Sequence, residues 1–247
     1  TGLGFVDLTV LMEEMGRACM DGPFFYTTLC SKAILDAGNE EQKNRFLPLI
    51  AEGKMIVSLA LTEPIPRFDA EGITTRAEPE GEEFIVNGAK LFVPDAQVAD
   101  YLLCATLTDP AAEAGKGITL FLVDAKSSGI QITPLDTMAH EHQTEVVLQD
   151  VRVPKVNMLG EMNQGWPIME QLLRQAIVAK CAQMNGGADW VVAESVAYSK
   201  ERVQYGKPIG AYQVIQHYLA DMWTDAGLGK RMTYYTAWKI DQGLPCE

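Results

Sequence analysis

Two short stretches hold most of the groups that could do chemistry. "SLALTEPIPRFD", residues 58–69, ends an apolar run with the hydroxyl of Thr62, the carboxylate of Glu63 and Pro64. Read alone it is a strand terminus followed by a turn. "ERVQYGKPIGAYQVIQHYLADM", residues 201–222, reads alone as a helix end, a Gly-Pro break and a new amphipathic helix. The three histidines are less promising, although histidine titrates near neutrality. His140 and His142 fall in a polar stretch between strands with no metal partner or nucleophile in view, and His217, beside Gln216, reads as a packing or surface residue on its helix. Five cysteines (Cys19, Cys30, Cys104, Cys181, Cys246) form no CxxC pair and have no histidine at metal spacing. They read as reduced, mostly buried thiols of a cytoplasmic protein, and no structural zinc site is expected.

The elements that must position these groups follow from composition and period. The chain has 247 residues, 47% of them hydrophobic, enough to bury a sizeable core. No apolar run reaches the roughly 18 to 20 residues of a membrane span, and no signal peptide is visible. A net charge of -13 argues against a nucleic-acid surface, which needs a basic face. An anionic ligand must therefore be held by a few placed cations or by backbone amides. The sequence begins at Thr1 and stops inside a helical pattern, as expected of a fragment of a longer protein.

Residues 1–56 read as helical. Leu8, Met12, Met15 and Cys19 share one face, and Leu29, Ile34 and Leu35 mark a second segment. Gly38 stops that segment, Asn39 caps the next, and Glu40 and Glu41 lie in its first turn, where the helix dipole favours them. Pro48 and Gly53 are expected to break the pattern. From 57 to 160 the period changes to two, with strands at "FIVNGAKLFV", "DYLLCATLT", "ITLFLVDA", "GIQITPL" and "TEVVLQDVRVP". Asn87-Gly88 predicts a two-residue hairpin turn within a small antiparallel β domain. From 161 to 247 the chain is helical again: one long helix stops at Gly206 before Pro208, and Tyr212, Ile215, Leu219 and Met222 recur at helical spacing in the next. The fold class is α+β, with helical, antiparallel β and helical-bundle domains in that order.

Taken together, "LALTEP", "ERVQYGKPIGAYQVIQHYLADM", "VRVPKVNMLGE" and "AGNEEQKNRFLPLIAEGK", in this order and at these separations, resemble the acyl-CoA dehydrogenase family over nearly the whole chain. The resemblance implies FAD held against the β domain and reached by a neighbouring subunit of a tetramer. It implies oxidation of an acyl-CoA thioester to the 2,3-enoyl-CoA in fatty acid or other acid degradation. A carboxylate removes the α-proton, the β-hydride goes to flavin N5, and electrons leave through electron-transfer flavoprotein. Leu59, Leu61 and Thr62 match positions that meet the pyrimidine side of the flavin, a task that suits a strand end, because its last amide and carbonyl groups lack ladder partners. Phe92 stands where a tryptophan stacks on the flavin. Arg202, Gln204, Tyr205 and Gln213 match positions that reach the adenosine diphosphate half on the adjacent subunit. Arg202 is assigned to the pyrophosphate through a charge-assisted contact. The alternative is an arginine that only answers the C-terminal dipole of its helix.

Three departures stand beside these matches. The family's Gly-Ala-Gly-Ser-Asp after "LTEP" reads here Ile65-Pro66-Arg67-Phe68-Asp69, so the serine and one backbone donor are lost. Pro94 replaces a threonine that donates to the flavin. The catalytic carboxylate is unplaced: relatives keep it near the C-terminus, beyond Glu247, or on the first long helix of the last domain, where this chain has Ala176 with Ile177 in place of the neighbouring arginine; Glu170 lies almost two turns away, and Glu247 is given no role. Two alternatives therefore accompany the desaturase: a non-catalytic or flavin-sharing subunit of a heteromeric complex, and a related FAD-containing lyase or desulfinase.

Overall fold

The computed structural model describes residues 3–113 and 115–246, which form two compact units. One comprises Gly22–Leu173; the other comprises the chain's start to Asp21 together with the chain from Arg174 on.

The first unit holds helices α2 (Phe24–Ala37) and α3 (Glu40–Ala51) and a sheet made of β1 (Val57–Ala60), β2 (Arg76–Glu80), β3 (Glu83–Pro94), β4 (Tyr101–Leu107), β5 (Ile118–Asp124), β6 (Ile130–Pro134), β7 (Gln143–Pro154) and β8 (Met158–Leu159). The strand order is β6-β7-β3-β2-β4-β5-β8, with β1 added against β4. Most pairings are antiparallel, as the alternating pattern predicted; β1 and β2 each run parallel to β4. Phe84, Val86, Leu102, Cys104, Phe121, Val123, Val146 and Val151 fill the core. Asn39 caps α3 as expected, accepting from the Gln42 amide at 2.8 Å, while Gln42 returns a side-chain bond to the Asn39 amide. The Gln42 amide group also donates to the carbonyls of Val156 and Met158, which docks the helix on the chain after β7.

Two local expectations fail here. Pro48 does not end α3, which runs on to Ala51. The ring removes only the bond to the Asn44 carbonyl, and the fully buried Phe46 holds the turn in place. Asn87-Gly88 is not a hairpin turn but lies inside β3, at a register shift against β7. The Asn87 side chain reaches across to Asp150, donating to the carboxylate at 3.1 Å and accepting from the Asp150 amide at 2.8 Å. Gly88 has φ +157, and a Cβ there would collide with Thr75, so glycine serves a bulge. The real hairpin joins β2 to β3 through Gly81 and Glu82.

The second unit contains α1 (Phe5–Arg17), α4 (Gly165–Glu201) from Arg174 onward, and α5 (Gln213–Asp241). Met12 and Met15 are buried on α1 as expected, whereas Cys19 lies beyond its end and is exposed. Backbones of α1 and α4 touch at Gly16 and Gly186: a Cβ on Gly186 would run into the Glu13 carbonyl oxygen. Asp241 accepts from the amides of Phe5 and Val6 and so closes the N-terminus of α1 from the far end of α5. The long helix stops at Glu201, not Gly206. There the chain turns into a hairpin, β9 (Val203–Gln204) against β10 (Lys207–Pro208), around Tyr205 (φ 49) and Gly206 (φ 81). Tyr212, which caps α5, and Ile215, Leu219 and Met222 within it are half-buried.

The cysteines divide: Cys30 and Cys104 are buried, Cys181 and Cys246 half-buried, Cys19 exposed, and all five are free. Mostly buried was therefore too strong an expectation. No helix among the described residues is long and apolar enough to cross a membrane, and they hold no cluster suited to a metal.

Candidate functional site

The end of β1 and a kink in β3 lie side by side in the first unit. Among the described residues β1 has a strand partner only on its β4 side, so its exit at Leu61 and Thr62 is not built into a second ladder there. The Leu91 amide donates to the Thr62 carbonyl at 2.8 Å, which ties the two segments together. Between Lys90 and Val93 the β3–β7 register shifts, and Phe92 takes a left-handed conformation with φ 54. A phenylalanine held there is strained by about 1–3 kcal/mol, and such strain clusters at functional sites. The kink turns the ring out of the sheet, leaving it 56% exposed. On either side the kink is fixed: Thr144 donates to the Val93 carbonyl at 2.8 Å, and the Ser58 hydroxyl donates to the Pro94 carbonyl.

Behind this corner lies a fully buried ion pair that the sequence reading overlooked. Lys90 Nζ is 2.7 Å from Glu63 Oε1, and the side chains are 0% and 1% exposed. The ammonium also donates to the carbonyls of Ala105, at 2.6 Å, and Leu61, at 3.3 Å. The carboxylate accepts in addition from the Thr74 amide and hydroxyl and from the Thr75 amide. Burial alone would raise the Glu63 pKa, but the Lys90 charge and these donors together hold the carboxyl below its ordinary value. Glu63 is therefore a locked anion and not a base poised to take a proton. One signal was available: Lys90 has the same strand parity as the buried Phe84 and Val86, and a charge on the inward face requires a partner.

The residues expected at the flavin separate into two groups. Leu59 lies in β1 and is buried; Leu61 and Thr62 are half-buried at its exit, with Phe92 on the adjoining strand. Among the described residues, the amides of Leu61 and Thr62 and the Thr62 hydroxyl have no acceptor. Three donors at a strand exit beside an exposed aromatic ring fit a flat heterocycle whose edge carries acceptors, which is the chemistry of a flavin pyrimidine edge. In the second unit, the β9–β10 hairpin gathers Arg202, Gln204 and Tyr205 close to Gln213 at the start of α5. The Ile209 amide donates to the Arg202 carbonyl and the Tyr212 hydroxyl to the Gln204 carbonyl, at 2.8 and 2.9 Å. All four side chains are exposed, Tyr205 to 95% with its left-handed backbone, and the Arg202 guanidinium has no partner among the described residues.

The loop after "LTEP" does not fit a phosphate. Ile65 and Arg67 spend their amides on the Glu63 and Ile65 carbonyls, both at 2.7 Å, and Pro66 has none. Phe68 is 85% exposed. The Arg67 guanidinium is bound by Asp69, at 2.8 and 3.1 Å, and by Glu71. Two acids on one cation leave the loop net negative. His142 lies 3.4 Å from Asp95, while His140 and His217 are exposed. Ala176 is half-buried and Ile177 exposed on α4; Glu247 lies outside the described residues.

The first unit is thus a mixed, mainly antiparallel sheet flanked in sequence by helices, with a donor-bearing strand exit beside a kinked aromatic. The chain belongs to the acyl-CoA dehydrogenase family: models of the family's N-terminal, middle and C-terminal domains match residues 1–54, 58–151 and 163–247. It is 34% identical to a 3-(aryl)acrylate reductase of Clostridium sporogenes over 94% of this chain and 63% of that protein. Butyryl-CoA dehydrogenase from Megasphaera elsdenii superposes with a TM-score of 0.93 at 32% identity, over 99% of this chain and 65% of that one. A chain in the solved structure of the electron transferring flavoprotein of Acidaminococcus fermentans gives 0.93 at 30% identity, covering 99% and 66%. This chain thus spans just under two thirds of the length of these relatives.

Proposed function

We propose that the protein is an FAD-dependent acyl-CoA dehydrogenase that desaturates an acyl-CoA thioester. The observation that carries the reading is the set of unpartnered donors at Leu61 and Thr62 beside the exposed ring of Phe92. In this reading the two amides and the Thr62 hydroxyl receive the pyrimidine edge, Leu59 lines the approach, and Phe92 covers one ring face. Bound flavin supplies the acceptor for the substrate's hydride, at N5. The chain's own contribution is to orient that ring, with the buried Leu59 keeping water from the strand behind it. Arg202, with Gln204, Tyr205 and Gln213, holds the adenosine diphosphate half of the FAD carried by an adjacent subunit, and the negative loop at 65–71 of each chain makes that arginine the more important. Reaction with electron transferring flavoprotein is part of the proposal, supported by the likeness to the Acidaminococcus fermentans chain. So are a cytoplasmic location, a tetramer and the three domains 1–56, 57–160 and 161–247.

The altered loop favours a second reading. With Arg67 bound by Asp69 and Glu71 and with Ala176 at the family's base position, the chain acts as a flavin-sharing subunit that donates Arg202 to a catalytic partner. One experiment separates the two. The full-length protein, purified alone, is expected to be yellow and to bleach anaerobically with a short-chain or aryl acyl-CoA. A protein that is colourless alone and yellow only when co-expressed with a homologous subunit supports the second reading. Absence of flavin in both preparations overturns both.

A further inference from the structure

We infer that the buried Lys90–Glu63 pair is a positioning and polarising device for the flavin edge, acting through the Leu61–Thr62 peptide. The inference rests on the flavin reading and deepens it. The ammonium spends its three protons on Glu63 Oε1 at 2.7 Å, the Ala105 carbonyl at 2.6 Å and the Leu61 carbonyl at 3.3 Å. The last of these bonds is the consequential one. Leu61 C=O and Thr62 N–H are the two ends of one peptide group, and among the described residues Thr62 N–H has no acceptor. A cation on the carbonyl end draws electron density along the conjugated amide and makes the N–H end a stronger donor, the cooperative effect expected of linked hydrogen bonds at low dielectric.

Position is set at the same time. Glu63 is anchored by the amides of Thr74 and Thr75. Lys90 is anchored by β4 through Ala105. The Leu91 amide, next along β3, fixes the Thr62 carbonyl. The strand exit therefore cannot move relative to Phe92 without breaking a fully desolvated ion pair. The pair is neutral as a whole, and the Leu61 carbonyl is bonded directly only to its positive member. A donor of this kind favours the electron-rich, reduced form of a ring edge over the oxidised form. Lys90 and Glu63 touch neither substrate nor flavin in this account, so both are positioning residues.

The test is a Lys90→Met/Glu63→Gln double variant. Lys90→Met alone strands a buried carboxylate and unfolds the corner, whereas the double variant removes both charges and leaves a side-chain amide carbonyl at position 63 to accept from the Thr75 amide. The FAD-loaded wild type and double variant are reduced stepwise against a reference dye. The double variant is expected to fold normally by circular dichroism yet to lose about tenfold in its preference for reduced over oxidised FAD, a potential lower by about 30 mV for a two-electron couple. In the flavin-free proteins, the Thr62 amide proton resonance is expected to move upfield in the double variant. A folded double variant with unchanged potential and an unchanged Thr62 resonance overturns the inference and leaves the flavin assignment standing. A wild type that takes up no FAD overturns the flavin assignment, and the Thr62 resonance alone then decides whether the pair polarises the peptide.

Discussion

Lys90 Nζ and Glu63 Oε1 meet at 2.7 Å in the interior of the β unit, and neither side chain reaches water. A lysine inside β3 and a glutamate three residues past the end of β1 are thereby made into one structural element. Removing a charge from such a pair leaves the other desolvated and unanswered. Lys90→Met is expected to cost about 3–5 kcal/mol of unfolding free energy, and the Lys90→Met/Glu63→Gln double variant clearly less. Urea unfolding of the four proteins of this mutant cycle checks the sign and size of the coupling.

The same pair sets a pH dependence. The Glu63 carboxyl is held below its ordinary value in the folded protein, so the unfolded chain takes up its proton at higher pH than the folded one. Its contribution to stability is fully present above the unfolded value of about 4.3 and is lost as pH falls through the lower folded value. The melting temperature of Glu63→Gln is expected to lie below that of wild type at pH 7, with the gap narrowing as pH drops below about 4. A gap that stays constant across the acid range argues against Glu63 as a buried anion.

Thiol reactivity is expected to follow burial. Cys19 is exposed, while Cys30 and Cys104 are enclosed, with burial pushing both thiols up. In the native protein a thiol reagent is expected to modify Cys19 first and to leave Cys30 and Cys104 untouched until denaturant is added, read by peptide mass mapping.

Arg202 presents an exposed guanidinium beside the β9–β10 turn. Arg202→Ala is expected to weaken FAD binding by about 1.5–3 kcal/mol, the scale of a hydrogen bond to a charged group, with little change in melting temperature of the flavin-free protein. Fluorescence titration with FAD measures the loss. Unchanged affinity would return this side chain to the bland role of answering a helix dipole.

What could be read from the sequence was whatever a local pattern specifies. The N-cap at Asn39, the strands at 101–107 and 118–124 and the half-buried stripe of α5 all follow from period and capping. Misreadings arose where tertiary contacts reuse a local signal. Asn87-Gly88 has turn chemistry, but the Asn87 side chain is recruited by Asp150 across the sheet and the missing Cβ of Gly88 makes room for Thr75. The tight two-residue turn instead fell at Tyr205-Gly206, where a tyrosine adopts φ 49 that no propensity favours. Of the candidate site, Leu61, Thr62 and Phe92 were legible only by family likeness. What holds them in place, the Glu63–Lys90 pair, joins residues 27 apart in sequence and follows from no local pattern, although the inward parity of Lys90 pointed to a missing partner.

The central claim, that the β1 exit and the Phe92 kink receive a flavin, is tested most directly by equilibrium titration of flavin-stripped full-length protein with FAD. Thr62→Pro, which removes one donor amide and the hydroxyl, and Phe92→Ala are measured alongside the wild type. The account predicts quenched flavin fluorescence and saturable binding by the wild type, with affinity lowered about tenfold or more in each variant, the scale of a lost hydrogen bond or stacking contact. Equal binding by all three proteins, or none by the wild type, would contradict it.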